Sequence, residues 1–106
     1  CVIAPLSAQS DANRKKAEGY QAEAQYYQKK AASHYREAEY YLAQAKKYLR
    51  EEEYYIRHSD YDKARTYAEY SKKEMDKYKT ELRLASQAED KAATYLRWAA
   101  DALRGY

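Results

Sequence analysis

A chain of 106 residues holds one small domain, and its formal charge of +3, with 20 Lys and Arg interspersed among 17 Asp and Glu, gives no basic stripe of the kind that holds nucleic acid. Twenty Ala and fifteen Tyr stand beside seven Leu, two Ile, one Val, one Met and no Phe, which excludes an ordinary aliphatic core. No apolar run approaches the roughly 18 residues of a bilayer span, so no membrane-crossing segment is expected.

Residues 1–10 contain the only proline, Pro5, which disfavours helix before it, and the segment reads as an extended leader. Cys1 is the only cysteine, so no internal disulfide can form; a free thiol, an intermolecular bridge and a modified residue remain. A chain that starts at Cys resembles a mature bacterial lipoprotein, and that resemblance implies lipid on Cys1 and membrane lipid as a partner.

From Asp11 to Arg57 there is no Pro and a single Gly, Gly19, in a run of Ala, Glu, Gln, Lys, Arg and Tyr, which predicts one long helix. Ala17, Ala24, Ala31, Ala38 and Ala45 recur every seven residues at one seam position. Tyr20, Tyr27, His34, Tyr41, Tyr48 and Tyr55 recur at the other. The break falls at His58-Ser59-Asp60, with Ser59 expected to cap the next helix and Asp62 in the capping-box position. A second helix is expected from about Asp60 to Arg104, ended by Gly105. Its seam is expected to run through Tyr61, Ala64, Ala68, Ser71, Met75, Tyr78, Leu82, Ala85, Glu89, Ala92, Leu96, Ala99 and Leu103. The expected fold is therefore all-α: residues 11–106 form a long antiparallel, coiled-coil-like hairpin turning near 58–60. Folding about His58 pairs residues whose numbers sum to 116 and sets Ala17 by Ala99, Ala24 by Ala92, Ala31 by Ala85 and Ala45 by Ser71. Glu89 opposite Tyr27 and Glu52 opposite Ala64 fit this pairing poorly.

Large side chains remain outside that seam. Ala-Glu-Ala-Gln-Tyr-Tyr, Arg-Glu-Ala-Glu-Tyr-Tyr and Arg-Glu-Glu-Glu-Tyr-Tyr begin at residues 22, 36 and 50. One Tyr of each pair serves the seam; Tyr26, Tyr40 and Tyr54 form a second stripe, one every 21 Å or about that along a helix. Tyr70, Leu84 and Trp98 do the same on the second helix, interleaved with Lys63, Lys77 and Lys91. Further surplus is expected at Tyr35, Leu42, Leu49 and Ile56 near the turn, and at Ala88, Tyr95, Ala100 and Ala102 near the open end. Exposed apolar stripes of this extent usually mark an interface. The expected partner is the chain itself, in a larger helical bundle or, if unlike ends pack head to tail, a filament.

Three stretches carry a family resemblance: Ala38-Glu39-Tyr40-Tyr41-Leu42-Ala43-Gln44-Ala45, His58-Ser59-Asp60-Tyr61-Asp62-Lys63-Ala64 and Tyr67-Ala68-Glu69-Tyr70-Ser71. They resemble the small Ala-rich bacterial envelope lipoproteins that carry a helical-hairpin domain of unknown function. The resemblance implies an exported envelope or extracellular protein with no known activity; its alternative role is a lipid-anchored adaptor for another envelope protein. The Tyr content departs from that family's usual Ala, Glu and Arg pattern.

No nucleophile, base and stabiliser converge in the sequence, so no catalytic residue, cofactor or small-molecule substrate is expected. His34 and His58 read as a packed ring and a turn residue, and Glu51-Glu52-Glu53 scatters round a helix, so no metal site is expected. Tyr and Trp in sequence along a rod also admit an electron-relay reading, which amphipathic packing of the same spacing displaces.

Overall fold

In the computed structural model, which describes residues 3–105 and side chains from Ser10 to Gly105, α1 spans Ile3–Arg57 and α2 spans Tyr61–Arg104, and the two pack as an antiparallel hairpin. Cys1 lies outside the described residues, so the expected lipidation site has no structural counterpart. The backbone corrects the extended leader: residues 3–10 belong to α1. Pro5 is compatible with this because it falls in the first turn, where a missing N–H has no carbonyl to lose.

The turn is three residues long and its hydrogen bonds account for both helix ends. Ser59 sits in the left-handed region, φ +58°. Its N–H donates to the Ile56 carbonyl at 3.1 Å, and the Asp60 N–H donates to the Tyr55 carbonyl at 2.9 Å. This paired pattern is the Schellman closure of α1, usually made by Gly. The cap of α2 is Asp60, not Ser59: Asp60 Oδ1 accepts the Lys63 N–H at 3.2 Å, and its carbonyl accepts the Ala64 N–H at 3.1 Å. Ser59 is committed to ending α1, which moves the cap one residue on and leaves Asp62 out of a capping box. At the far end Gly105, φ +86°, terminates α2 with its N–H on the Ala102 carbonyl.

Contacts divide the chain into two compact units, one made of residues up to Ala31 with those from Ser86, the other of Ala32–Ala85. In the first, Ala17, Ala24, Ala31, Ala88, Ala92, Ala99 and Ala102 are buried, and Ala17, Ala99 and Ala102 form a cluster with Tyr20 against it. In the second, Ala38, Ala45, Ala64, Ser71 and Ala85 are buried, and the Ser71 hydroxyl donates to the Ala45 carbonyl at 3.1 Å. A side-chain hydroxyl on the opposite helix's backbone demands close approach. Small residues permit it, and long ones would hold the axes toward the far end of the usual packing range of about 8–10 Å.

The second seam column of α2 differs from expectation. Ala88 and Ala102 are buried and Tyr95 is half-buried, whereas Glu89, Leu96 and Leu103 are exposed, the last two at 45% and 58%. Tyr61 is also exposed. The seam therefore steps three residues, not four, from Ala64, Ser71, Ala85, Ala92 and Ala99. That choice buries Ala88 and frees Glu89, the residue that fitted worst. It also removes Ala88, Tyr95 and Ala102 from the exposed surplus, and Ala100 is only half-exposed. The open-end patch assumed for head-to-tail packing thereby shrinks.

Candidate functional site

The shifted column brings rings together. In the first unit Tyr95 stacks on Tyr27, centroids 5.8 Å apart and planes 8° apart, with Tyr20 at 6.2 Å on its other side. Trp98 closes the group edge-on, 5.7 Å from Tyr20 and 5.3 Å from Tyr95. In the second unit Tyr67 stacks on Tyr55 at 5.5 Å and 8°, with Tyr48 at 6.1 Å. Tyr70 completes that group, 5.4 Å from Tyr48 and 5.8 Å from Tyr67. Each member of one cluster lies 28 residues from its counterpart: Tyr20 and Tyr48, Tyr27 and Tyr55, Tyr67 and Tyr95, Tyr70 and Trp98. One four-ring arrangement is thus built twice, once in each unit.

The cluster forms because helices present residues three and four apart on one face. A ring on α2 therefore falls between two α1 rings seven residues apart. Stacked and edge-to-face rings are each worth about 0.5–1.5 kcal/mol beyond burial, so these clusters supply cohesion that an Ala seam lacks.

A cation and an outer ring complete each arrangement. Lys91 lies 5.3 Å over Tyr27, Lys77 5.6 Å over Tyr41 and Lys63 5.3 Å over Tyr55; in every pair the residue numbers sum to 118. Tyr26, Tyr40 and Tyr54 stand edge-on to Tyr27, Tyr41 and Tyr55 at 5.1, 5.5 and 5.1 Å. These outer rings are well exposed, Tyr26 and Tyr40 at 57%. Thr66, Thr80 and Thr94 repeat the same period, each hydroxyl donating to the carbonyl four residues back, on Asp62, Asp76 and Asp90.

Between the two clusters in sequence, the same positions carry His34, Tyr41, Glu81 and Leu84. There the ring pair is replaced by a polar pair: His34 Nδ1 and Glu81 Oε2 lie 2.6 Å apart, both side chains about one-fifth exposed. The tautomer with hydrogen on Nδ1 donates to a Glu81 carboxylate oxygen, which accepts. His34 is thus the packed ring expected, with a partner that the four-residue step did not supply.

Among the residues expected at an interface, Tyr26, Tyr40, Tyr54, Tyr70, Trp98, Tyr35, Leu49 and Ile56 are exposed, and Leu42 and Leu84 half-exposed. Tyr95 is a cluster member inside the seam instead. Two shallow clefts flank Trp98, about 300 Å³ beside Tyr20 and about 320 Å³ beside Tyr27 and Tyr95. Among the described residues no group of three His, Cys, Asp or Glu could hold a metal, and no helix is long and apolar enough to cross a membrane.

The missed signal was legible as Asp-Lys-x-x-Thr followed by Tyr, Glu or Tyr, at residues 62, 76 and 90. Reading it would have put Tyr67, Glu81 and Tyr95 in one column. Fold and site together define an α-helical hairpin bearing a repeated Tyr–Lys surface. The chain matches no protein-family model, and no curated protein or solved structure matches it.

Proposed function

We propose that this protein is a structural subunit that self-assembles through its Tyr-rich helix faces into an oligomer or filament. The observation carrying the reading is that the outer rings Tyr26, Tyr40 and Tyr54 recur every fourteen residues, each braced edge-on and each left in water by the isolated chain. A braced ring loses little side-chain freedom on docking, which makes Tyr and Trp effective anchors. Within Ala32–Ala85 a second, aliphatic flank supports the same reading. Leu42, Leu49 and Ile56 with Met75 and Leu82 follow the seam by one residue on the side away from the Tyr rows, and Leu49 and Ile56 are exposed.

An exported, envelope or extracellular location is part of the proposal and rests on the family resemblance; intact mass of the native protein reads any acylation directly. Self-assembly is tested by mass photometry and electron microscopy of the purified chain, with Tyr26, Tyr40 and Tyr54 replaced together by Phe or by Ala. The Phe variant keeps the assemblies and the Ala variant loses them. A wild-type chain that stays monomeric at tens of micromolar overturns the proposal.

A further inference from the structure

We infer that the partner on the aromatic flank is a second copy of this chain, docked with α1 of one copy against α2 of the other and Lys77 of each inserted beside Tyr40 of the other. This rests on the self-assembly proposed above and specifies its first contact.

The argument uses Ala32–Ala85 alone. Tyr40 and Lys77 both touch the Tyr41 ring, one edge-on at 5.5 Å and the other over its face at 5.6 Å, so they are neighbours on one surface. Glu37, three residues before Tyr40 and four before Tyr41, shares that surface. The ammonium of Lys77 is itself held, 3.3 Å from Glu74, and the Lys77 side chain is more than half exposed. The surface thus presents an open ring, a cation and a carboxylate side by side. The same set returns fourteen residues along each helix as Tyr54, Lys63 and Glu51.

A surface of one charge repels its own copy; this one complements it. Turning a second copy by half a turn about an axis parallel to the helices lays its α2 over the first copy's α1 in the same antiparallel sense that α1 and α2 already have. Lys77 then faces Tyr40 and Glu37, and Lys63 faces Tyr54 and Glu51, at the heights set by the sum of 118. Because the contact is two-fold, each Lys–Tyr meeting is made twice. The ammonium passes from one ring and water to a place between two rings, where cation–π attraction strengthens as water leaves. The aliphatic flank stays free for a further contact.

The competing arrangement slides one copy by a repeat, setting Lys63 against Tyr40. Disulfide trapping separates the two in chains that also carry Cys1→Ser. A Tyr40→Cys chain is mixed with a mass-tagged Lys77→Cys chain, oxidised, and the mixed dimer measured by gel and mass spectrometry. In this mixed dimer the second Tyr40–Lys77 contact stays intact. Trapping is expected for Tyr40→Cys with Lys77→Cys and for Tyr54→Cys with Lys63→Cys, at several times the yield of Tyr40→Cys with Lys63→Cys. Equal or greater trapping of that last pair overturns the inferred docking, as does the absence of trapping in a sample whose sedimentation shows oligomers; self-assembly survives both results. A monomeric sample overturns self-assembly as well.

Discussion

Tyr55 lies flat against Tyr67 across the hairpin, ring centres 5.5 Å apart and planes within 8° of parallel, and Tyr27 and Tyr95 repeat the pair 28 residues away on each helix. Two sites so alike in geometry share one cause: a fourteen-residue period on both helices, matched in opposite directions. Where the seam is Ala, these rings carry much of the adhesion.

Removing the stack is therefore costly. Tyr67→Ala takes away three ring contacts at once and is expected to cost about 3–5 kcal/mol, the range for truncating a large aromatic, reduced to the extent that Tyr67 is only half-buried. Tyr67→Phe keeps the contacts and should fall within about 1 kcal/mol of the parent. Thermal melts followed by circular dichroism compare the two.

Close approach at the seam makes the reverse prediction. Ala45 is fully buried under Ser71, so Ala45→Leu must push the helices apart and is expected to cost about 1–3 kcal/mol or more. Ala43→Leu, two residues away on the exposed side, should change little. Urea titration of both variants gives the comparison.

Ser59 holds a backbone conformation suited to Gly. Ser59→Gly is expected to stabilise the hairpin by about 0.5–1 kcal/mol, since the left-handed penalty for a side chain slightly exceeds the extra chain entropy of Gly. Asp60→Ala removes the cap of α2 and should cost about 1 kcal/mol. Opposite shifts in melting temperature at adjacent residues would establish which of the two caps α2.

The polar pair His34 and Glu81 stands where the repeat calls for rings. His34→Ala leaves a part-buried carboxylate without its donor and is expected to cost about 1–3 kcal/mol. The combined variant His34→Tyr, Glu81→Tyr, Leu84→Tyr recreates the four-ring pattern around Tyr41 and should melt no lower than the parent. A large loss of stability in that triple variant would show that the period does not by itself determine the packing.

Much of the fold is legible in the sequence. Ala17, Ala24, Ala31, Ala38 and Ala45 announce a small-residue seam on α1, and the break at 58–60 places the turn. The second column of α2 was not settled by periodicity, because steps of three and four from Ala92 or Ala99 both meet apolar residues. Leu96 looked like a better core residue than Tyr95, and Leu103 than Ala102. The structure takes Ala102, small enough for helices in close contact, and Tyr95, whose ring stacks on Tyr27. Ser59 misled for a related reason: its sequence context suits a cap, and only the Schellman hydrogen bonds show that it ends the preceding helix.

A repeated pattern carries a hazard that His34 and Glu81 remove. If α2 of one chain slipped by fourteen residues along α1 of another, the Lys–Tyr pairs, which share that period, would find equivalent partners. Glu81 would then lie among tyrosines with no imidazole to receive its charge, and His34 would meet a ring in place of its carboxylate. A single interruption in the aromatic series thus penalises that slip, as a lone polar residue fixes register in coiled coils.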